Sequence, residues 1–311
     1  MGGRGSLFCV VVFLLSLGLE IMDFNLSIFT WNVNGLASNR FDQFYVCLEE
    51  HKFPHIVCLQ ETHCNNPKII NHWKSELKQY QCFFSLGNGY RNGTAVFIHK
   101  SLNFRLNLEI EDIPEGRFTV IKGQLLGELV SIVSAYSPCY DNDKPSFYEK
   151  LIMTNLEGIK IVMGDFNSSP RADIDRARLD KNKSETHRRD GALIEFIENQ
   201  DLIDTWRFCH PGERDYTYSN ISRIDLILVS GHFHKEIMNS EIGCPFFSDH
   251  RIVMSLLSWG EKNWGQDFKK IRPATIANPD FEQVFHAIWT KQEDNFLKQF
   301  QEIFVRGQLK N

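Results

Sequence analysis

A chain of 311 residues that is 42% hydrophobic and 13% aromatic can bury a large core, which excludes a disordered or low-complexity polymer. Its formal net charge of −5 excludes a uniformly basic nucleic-acid binder, so any contact with a polyanion must come from a local distribution of charge. The 8 cysteines are scattered and partly inside strand-like runs, which fits reduced thiols better than a disulfide scaffold.

The first segment, residues 7–19, is an apolar run preceded by Arg4. It has the size of a signal-peptide core and is short for a membrane span. Secretion is one interpretation. The other, which we favour, is an extension upstream of a start at Met22, because the Ser16 to Glu20 stretch is a weak cleavage site.

From there strand-like and helix-like patterns alternate. Strands are expected at residues 26–30, 55–59, 94–99, 118–125, 130–135, 159–163, 224–229 and 252–257. Helices are expected at 40–50, 67–79, 145–155 and 190–199, the last opening on Asp190 as N-cap. Turn signals stand at Gly87-Asn88-Gly89 and Asn92-Gly93. Such mixing predicts two packed sheets with helices outside. Residues 22–260 form one domain by this pattern. Residues 261–279 have linker composition, and 280–305 carry Phe281, Val284, Phe285, Ile288, Trp289, Phe296, Phe300 and Phe304 at mostly helical spacing.

Polar clusters end several apolar runs. Asp165 and Asn167 follow the run 159–163; two residues apart at a strand end, they face the same side. A carboxylate to orient or deprotonate water beside a neutral donor for phosphate oxygens suits phosphodiester hydrolysis, although Gly-Asp and Asn also make ordinary turns. Glu61 ends a second run, and a strand-end carboxylate suits Mg²⁺, which takes oxygen ligands and few protein carboxylates. Asp225 and His250 open later runs and have the composition of an orienting dyad. Singly, each has a plain structural explanation: a satisfied histidine, a turn cap, or, for Tyr136, a core ring with its hydroxyl at the surface.

Five motifs occur in one order: Trp31-Asn32-Val33-Asn34-Gly35, Gln60-Glu61-Thr62, Tyr136-Ser137-Pro138, Gly164-Asp165-Phe166-Asn167 and Ser248-Asp249-His250. Over residues 26–257 the chain resembles the endonuclease/exonuclease/phosphatase superfamily, which includes exonuclease III, abasic-site endonucleases and DNase I. Within it, Asp201-Leu202-Ile203-Asp204-Thr205-Trp206, His210-Pro211, Asp215-Tyr216-Thr217-Tyr218 and Ser222-Arg223-Ile224-Asp225 resemble the endonuclease domain of LINE-type non-LTR retrotransposons.

The resemblance implies a DNase I-like four-layer α/β sandwich, two packed mixed β-sheets flanked by helices. It implies Asn32, Glu61 and Asp249 as residues that position a metal, Mg²⁺ or Mn²⁺, and Tyr136, Asp165, Asn167, Asp225 and His250 as catalytic residues. Thr217 and Arg223 are expected to touch double-stranded DNA. The implied reaction is a nick that leaves a 3′ hydroxyl, used in the nucleus to prime a reverse transcriptase carried elsewhere in the element. Asn34 stands where abasic-site enzymes commonly have aspartate and Cys139 where they have a second asparagine, so an exonuclease III-type repair enzyme is the alternative. Ser222-Arg223-Ile224 before Asp225 departs from the segment of the inositol-phosphate phosphatases. A catalytically inactive DNA-binding or interaction module is a further alternative. The mixed charges of residues 171–189 have the pattern of a solvated face, and 215–221 is the better hairpin candidate for entering a groove.

Overall fold

The computed structural model describes residues 24–36, 39–111, 115–125, 127–177 and 191–259. The apolar run at 7–19, the Asp190 cap, most of the charged stretch up to 189 and the tail beyond Trp259 lie outside the described residues.

In chain order the elements are β1 (Phe24–Asn32), α1 (Asn39–Glu50), β2 (Ile56–Gln60), α2 (Pro67–Glu76), β3 (Tyr80–Ser85), β4 (Thr94–His99), β5 (Arg105–Glu111), β6 (Phe118–Leu125), β7 (Glu128–Tyr136), α3 (Lys144–Met153), β8 (Ile159–Asp165), α4 (Ala172–Asp175), α5 (Gly191–Asn199), β9 (Leu202–Asp204), α6 (Thr205–Cys209), β10 (Asp225–Ser230), β11 (Ile237–Pro245) and β12 (Arg251–Trp259). They build two 6-stranded sheets, β11-β12-β1-β2-β4-β3 and β5-β6-β7-β8-β10-β9. Each sheet has one parallel pair at its centre, β1 with β2 and β7 with β8, and antiparallel neighbours outside it.

Period-two alternation sorts the strand residues into layers. Ile28, Ile56, Cys58, Ile132, Ile161, Met163, Ile227 and Val253 share the core between the sheets. The opposite residues of the first sheet, among them Phe29, Trp31, Val57 and Leu59, pack against Phe41, Phe44 and Leu48 of α1 and Ile70 and Trp73 of α2. In the second sheet Val133, Val162, Leu226 and Leu228 meet Phe147 and Leu151 of α3 and Leu193 and Phe196 of α5. The result is the expected four-layer sandwich. Burying each such aliphatic or aromatic side chain contributes about 1.5–3 kcal/mol, so the layers are held mainly by apolar contact.

Four strands were not expected from the pattern: β3, β5, β9 and β11. Helix α2 ends at Glu76, short of the expected residue 79, because Leu77 caps it with an N–H to the Trp73 carbonyl and the chain then turns into β3. Asn66 caps its start, accepting from Lys68 N at 2.9 Å, with Pro67 at the first turn. Among the described residues no helix is long and apolar enough to cross a membrane. Cys47, Cys58, Cys64, Cys82, Cys139, Cys209 and Cys244 are free thiols.

Candidate active site

The inter-sheet rows change character at one end of the sandwich. Leu26 and Ile28 of β1 give way to Thr30 and Asn32, Cys58 of β2 to Gln60, Ile132 of β7 to Ser134 and Tyr136, and Met163 of β8 to Asp165. Because β1/β2 and β7/β8 are parallel, these four ends coincide. The antiparallel partners β10 and β12 begin at the same end, which brings in Asp225, opposite Asp165 in the register, and His250 just before Arg251. Below the mouth lies a satisfied polar layer: Gln60 Nε2 donates to Thr30 Oγ1 and Ser134 Oγ, both at 3.1 Å, and Ser134 Oγ donates to the Leu59 carbonyl at 2.9 Å. Such a layer rigidifies the strands that carry the site.

At the centre, Asn32 Nδ2 donates to two carboxylates, Glu61 Oε1 and Asp165 Oδ2, each at 2.9 Å. Its carbonyl accepts from Asn34 N at 3.0 Å, which fixes which way the amide points. Glu61 sits in the left-handed backbone region (φ 51°), so β2 bends sharply as it leaves the sheet and turns this carboxylate toward the mouth. His63 Nε2 lies 2.9 Å from Glu61 Oε2. Burial raises the Glu61 pKa, but hydrogen bonds from His63, Asn32 and Tyr136 outweigh it and hold the carboxyl at about 2. Tyr136 is shifted the other way: burial and the Glu61 charge raise its pKa, so it stays a neutral donor.

Asp165 is 1% exposed. Asn167 N donates to its Oδ1 at 2.9 Å, while the Asn167 amide donates to the Ser137 carbonyl at 2.9 Å. Lys144, 2% exposed, donates to the Asn167 carbonyl at 2.9 Å and to Asp141 Oδ1 at 2.8 Å. Gly164 carries φ 155°, and a Cβ there would run into the Ala135 carbonyl of β7, so only glycine lets the two parallel strands close up beside the aspartate. Burial, then the charge of Asp225, push Asp165 up to about 7, against the opposing charge of His250.

His250 Nδ1 lies 2.9 Å from Asp225 Oδ2, and His250 Nε2 lies 3.9 Å from Asp165 Oδ2. Burial lowers the imidazole pKa, but Asp225 by charge and hydrogen bond, followed by Asp165, raise it to about 10. Trp31 Nε1 donates to the His250 carbonyl at 3.0 Å, and the Tyr218 ring packs 4.7 Å from the imidazole. Asp165, Asp225 and His250 thus form a buried group whose nearest ligand atoms all lie within 4.8 Å of one another. With Nδ1 committed to Asp225, this is an oriented imidazolium flanked by carboxylates, a geometry for proton and phosphate handling. Asp249 is exposed at the rim and accepts from Asn34 Nδ2 at 3.1 Å.

Two expectations are corrected by burial. Thr217 is 0% exposed and its Oγ1 accepts from Ile224 N and Asp225 N, both at 3.1 Å; Arg223 is 1% exposed and lies between Asp175 and Asp204. Neither side chain is open to a DNA backbone, because each satisfies buried partners beside Asp225. Their neighbours are the open ones: Ile221 is 56% exposed at the tip of the turn from Tyr218 to Ser222. His63 and Lys144 are site residues that motif reasoning passed over; only the two-residue spacing from Glu61 hinted at His63, and nothing local marked Lys144.

Glu61 fits a hard divalent cation. It is ionised, its oxygens keep lone pairs beyond the bonds from Asn32 and His63, and a single neutral amide separates it from a second carboxylate, which leaves negative charge uncompensated at the mouth. In the rotamer observed, Asn32 presents nitrogen and not oxygen to this space.

Comparison with known proteins agrees with this architecture. A transposon TX1 uncharacterized 149 kDa protein from Xenopus laevis is 28% identical over 245 residues, 75% of this chain but 18% of that protein. An AP endonuclease from Archaeoglobus fulgidus superposes with a TM-score of 0.61 at 24% identity, covering 75% of this chain and 99% of that one. The AP endonuclease LMAP from Leishmania major gives 0.63 at 19% identity, over 76% and 88%. A 3′ phosphatase, NExo, from Neisseria, solved with a product DNA hairpin, gives 0.59 at 23% identity, over 75% and 100%. The family model for the endonuclease/exonuclease/phosphatase family matches residues 29–250, which span every site residue above, and the chain belongs to that family.

Proposed function

We propose that the chain is a Mg²⁺-dependent DNA endonuclease that hydrolyses a phosphodiester and leaves a 3′ hydroxyl, the step that primes reverse transcription in a LINE-type element. The observation that carries this reading is the pair of carboxylates, Glu61 and Asp165, bridged by one Asn32 amide at the end of the inter-sheet cleft. Glu61 would be the protein ligand for the cation, Mg²⁺ or Mn²⁺, with Asn32 and Asp249 orienting its surroundings. When bound, the cation offsets charge that develops on the phosphate and on the departing 3′ oxygen.

The chain's own groups do the rest. Asp165, held by Asn32 and the Asn167 N–H and raised to about 7, takes a proton from the attacking water near its own pKa. The water oxygen bonds to phosphorus and the P–O3′ bond breaks, the electron pair leaving on the 3′ oxygen, which takes a proton from solvent to become the 3′ hydroxyl while Asp165 returns its proton to solvent. His250, kept charged by Asp225, donates from Nε2 to a non-bridging phosphate oxygen, and neutral Tyr136 donates beside it.

The transposon relative favours a mobile-element reading over repair; in the retrotransposon form of it proposed here, the substrate is double-stranded DNA, a reverse transcriptase lies elsewhere in the element and the place of action is the nucleus. The AP endonucleases of similar fold make abasic-site cleavage the second reading. The test is incubation of the chain with supercoiled plasmid and with a duplex bearing one abasic site, with Mg²⁺ or EDTA, followed by polymerase extension of the product. Metal-dependent nicks that a polymerase extends are expected. Much faster abasic cleavage moves the assignment to repair, and no cleavage by the folded protein leaves the inactive module.

A further inference from the structure

Outside the mouth, the densest set of buried charges in the described residues lies under the start of β10. Asp175 is 0% exposed and Arg223 1%. Arg223 Nε donates to Asp175 Oδ1 at 2.8 Å and Nη2 to Asp175 Oδ2 at 3.0 Å, a fork on a carboxylate. Arg223 Nη2 also lies 2.7 Å from Asp204 Oδ2, close enough for an ion pair although the angle is not that of a hydrogen bond. Arg207 Nη2 meets Asp175 Oδ1 at 2.5 Å. The Arg207 and Arg223 guanidinium carbons lie 4.8 Å and 5.2 Å from the centre of the Trp206 ring.

A hydrophobic cluster of equal volume holds a fold at least as well as buried ion pairs do, so what distinguishes this cluster is direction. Two arginines, two aspartates and one indole tie α4, the β9–α6 junction and residue 223 into one geometry. Bonds to the backbone repeat the tie: Arg223 N donates to the Asp175 carbonyl at 2.8 Å, the Ser169 hydroxyl to the Arg223 carbonyl at 3.3 Å, and Phe166 N to the Ile224 carbonyl at 2.9 Å. The next residue is Asp225. Thr217 links the two ends of the dyad, accepting from Asp225 N through Oγ1 and from Arg251 N, beside His250, through its carbonyl at 2.6 Å.

We propose that Arg223, clamped by Asp175 and Asp204 across Trp206, is a positioning residue that sets the Asp225 carboxylate against His250 Nδ1 and thereby the aim of His250 Nε2. The proposal rests on the nuclease reading for its effect on rate, but not for its effect on geometry. Lysine keeps the charge and lacks the planar fork, so it restores only part of the function.

The test uses the full chain and its Arg223→Met, Arg223→Lys and Asp204→Asn variants, with thermal unfolding to establish that each is folded. Two quantities are read: plasmid-nicking kcat and KM, and the NMR resonance of the His250 Nδ1 proton, which a hydrogen bond to Asp225 protects from exchange. In folded Arg223→Met, kcat is expected to fall by about 10- to 100-fold with KM for DNA nearly constant, the cost of a small misplacement of a reacting group. The Nδ1 resonance broadens in the same variant, and Arg223→Lys lies between it and wild type in both readings. Should Arg223→Met fail to fold, Asp204→Asn, which leaves the Asp175 fork intact, is expected to give the same signature on a smaller scale. An unchanged kcat, a loss carried by KM, or a fall in kcat with the Nδ1 resonance unmoved overturns the proposal. If wild type itself does not nick, the nuclease reading fails, and the resonance alone still decides whether Arg223 sets the dyad.

Discussion

The two sheets have the same plan, six strands with one central parallel pair, and each delivers a carboxylate to the shared mouth. Glu61 leaves the first sheet on a left-handed residue and collects donors from His63, Asn32 and Tyr136, which hold it at about 2. Asp165 ends the second sheet inside the strand ladder, opposite another aspartate, and burial raises it to about 7. The same functional group is therefore a permanent anion on one side of the cleft and a titrating group on the other. On the proposed reading environment divides the labour: an ionised ligand for a cation, and a base whose proton affinity matches neutral pH.

The largest expected effect comes from removing the titrating side. Asp165→Asn keeps the shape and, with one oxygen left to accept, only one of the two bonds from Asn32 and Asn167 N, and it cannot accept a proton, so nicking is expected to fall by about 10²–10⁴-fold in single-turnover assays. The same variant is expected to unfold at a higher temperature above neutral pH. Its native pKa is raised, so stability is lost as pH climbs from the ordinary carboxylate range to about 7, the full cost of the buried charge stands above that, and asparagine removes it. A lower melting temperature would show that the aspartate stabilises the mouth and contradict the assignment of strain to it. Next in size is Asp225→Asn, which leaves His250 without its charged partner; a loss of at least about 10²-fold is expected, and a near-normal rate would remove the dyad from the chemistry.

The pH profile sharpens the same contrast. Asp165 is protonated below its raised pKa, so the rate climbs as pH rises through about 7. His250 is charged below its raised pKa, so the rate falls as pH rises through about 10. The two limbs belong to a coupled group, and the expected profile of kcat is a bell. A rate flat across neutral pH, under conditions where chemistry limits, would exclude Asp165 as the base.

How much of this was visible in the chain follows from which residues carry local information. β1, β2, β4, β7, β8 and β10 are apolar runs buried on both faces, and such runs announce themselves. β5 is an edge strand whose residues are almost all exposed, β11 is interrupted by Asn239, Ser240 and Gly243 and shifts register twice, and β9 has only three residues. Their pairing comes from neighbours in space and not from their own composition. The mouth residues were legible for a related reason. Asn32, Tyr136 and Asp165 end apolar rows, and a polar residue there breaks a pattern. Thr217 and Arg223 break no pattern: Thr217 is buried because it accepts from Ile224 N and Asp225 N, and Arg223 because it meets Asp175 and Asp204, 48 and 19 positions away in the numbering. Charge in a sequence does not disclose whether it faces solvent or a buried partner.

Smaller effects test the scaffold beneath the comparison. Gln60→Ala leaves the Thr30 and Ser134 hydroxyls short of a buried partner, with an expected loss of about 1–3 kcal/mol in denaturant unfolding and little change in the pH profile. A profile displaced along with stability would mean that the polar layer tunes the carboxylates as well as supporting them. Asn34→Ala removes an exposed bond to Asp249 and is expected to cost at most about 1 kcal/mol in transition-state stabilisation, read as kcat/KM on plasmid. A larger loss would bring Asp249 into the chemistry.

The division of labour is tested most directly by the Mg²⁺ dependence of single-turnover plasmid nicking for wild type, Glu61→Gln and Asp165→Asn. If Glu61 holds the cation and Asp165 handles the proton, the rate of Glu61→Gln recovers toward wild type as Mg²⁺ is raised, and Asp165→Asn stays slow at every concentration. Recovery of Asp165→Asn, or an equal response of the two variants, would contradict the account.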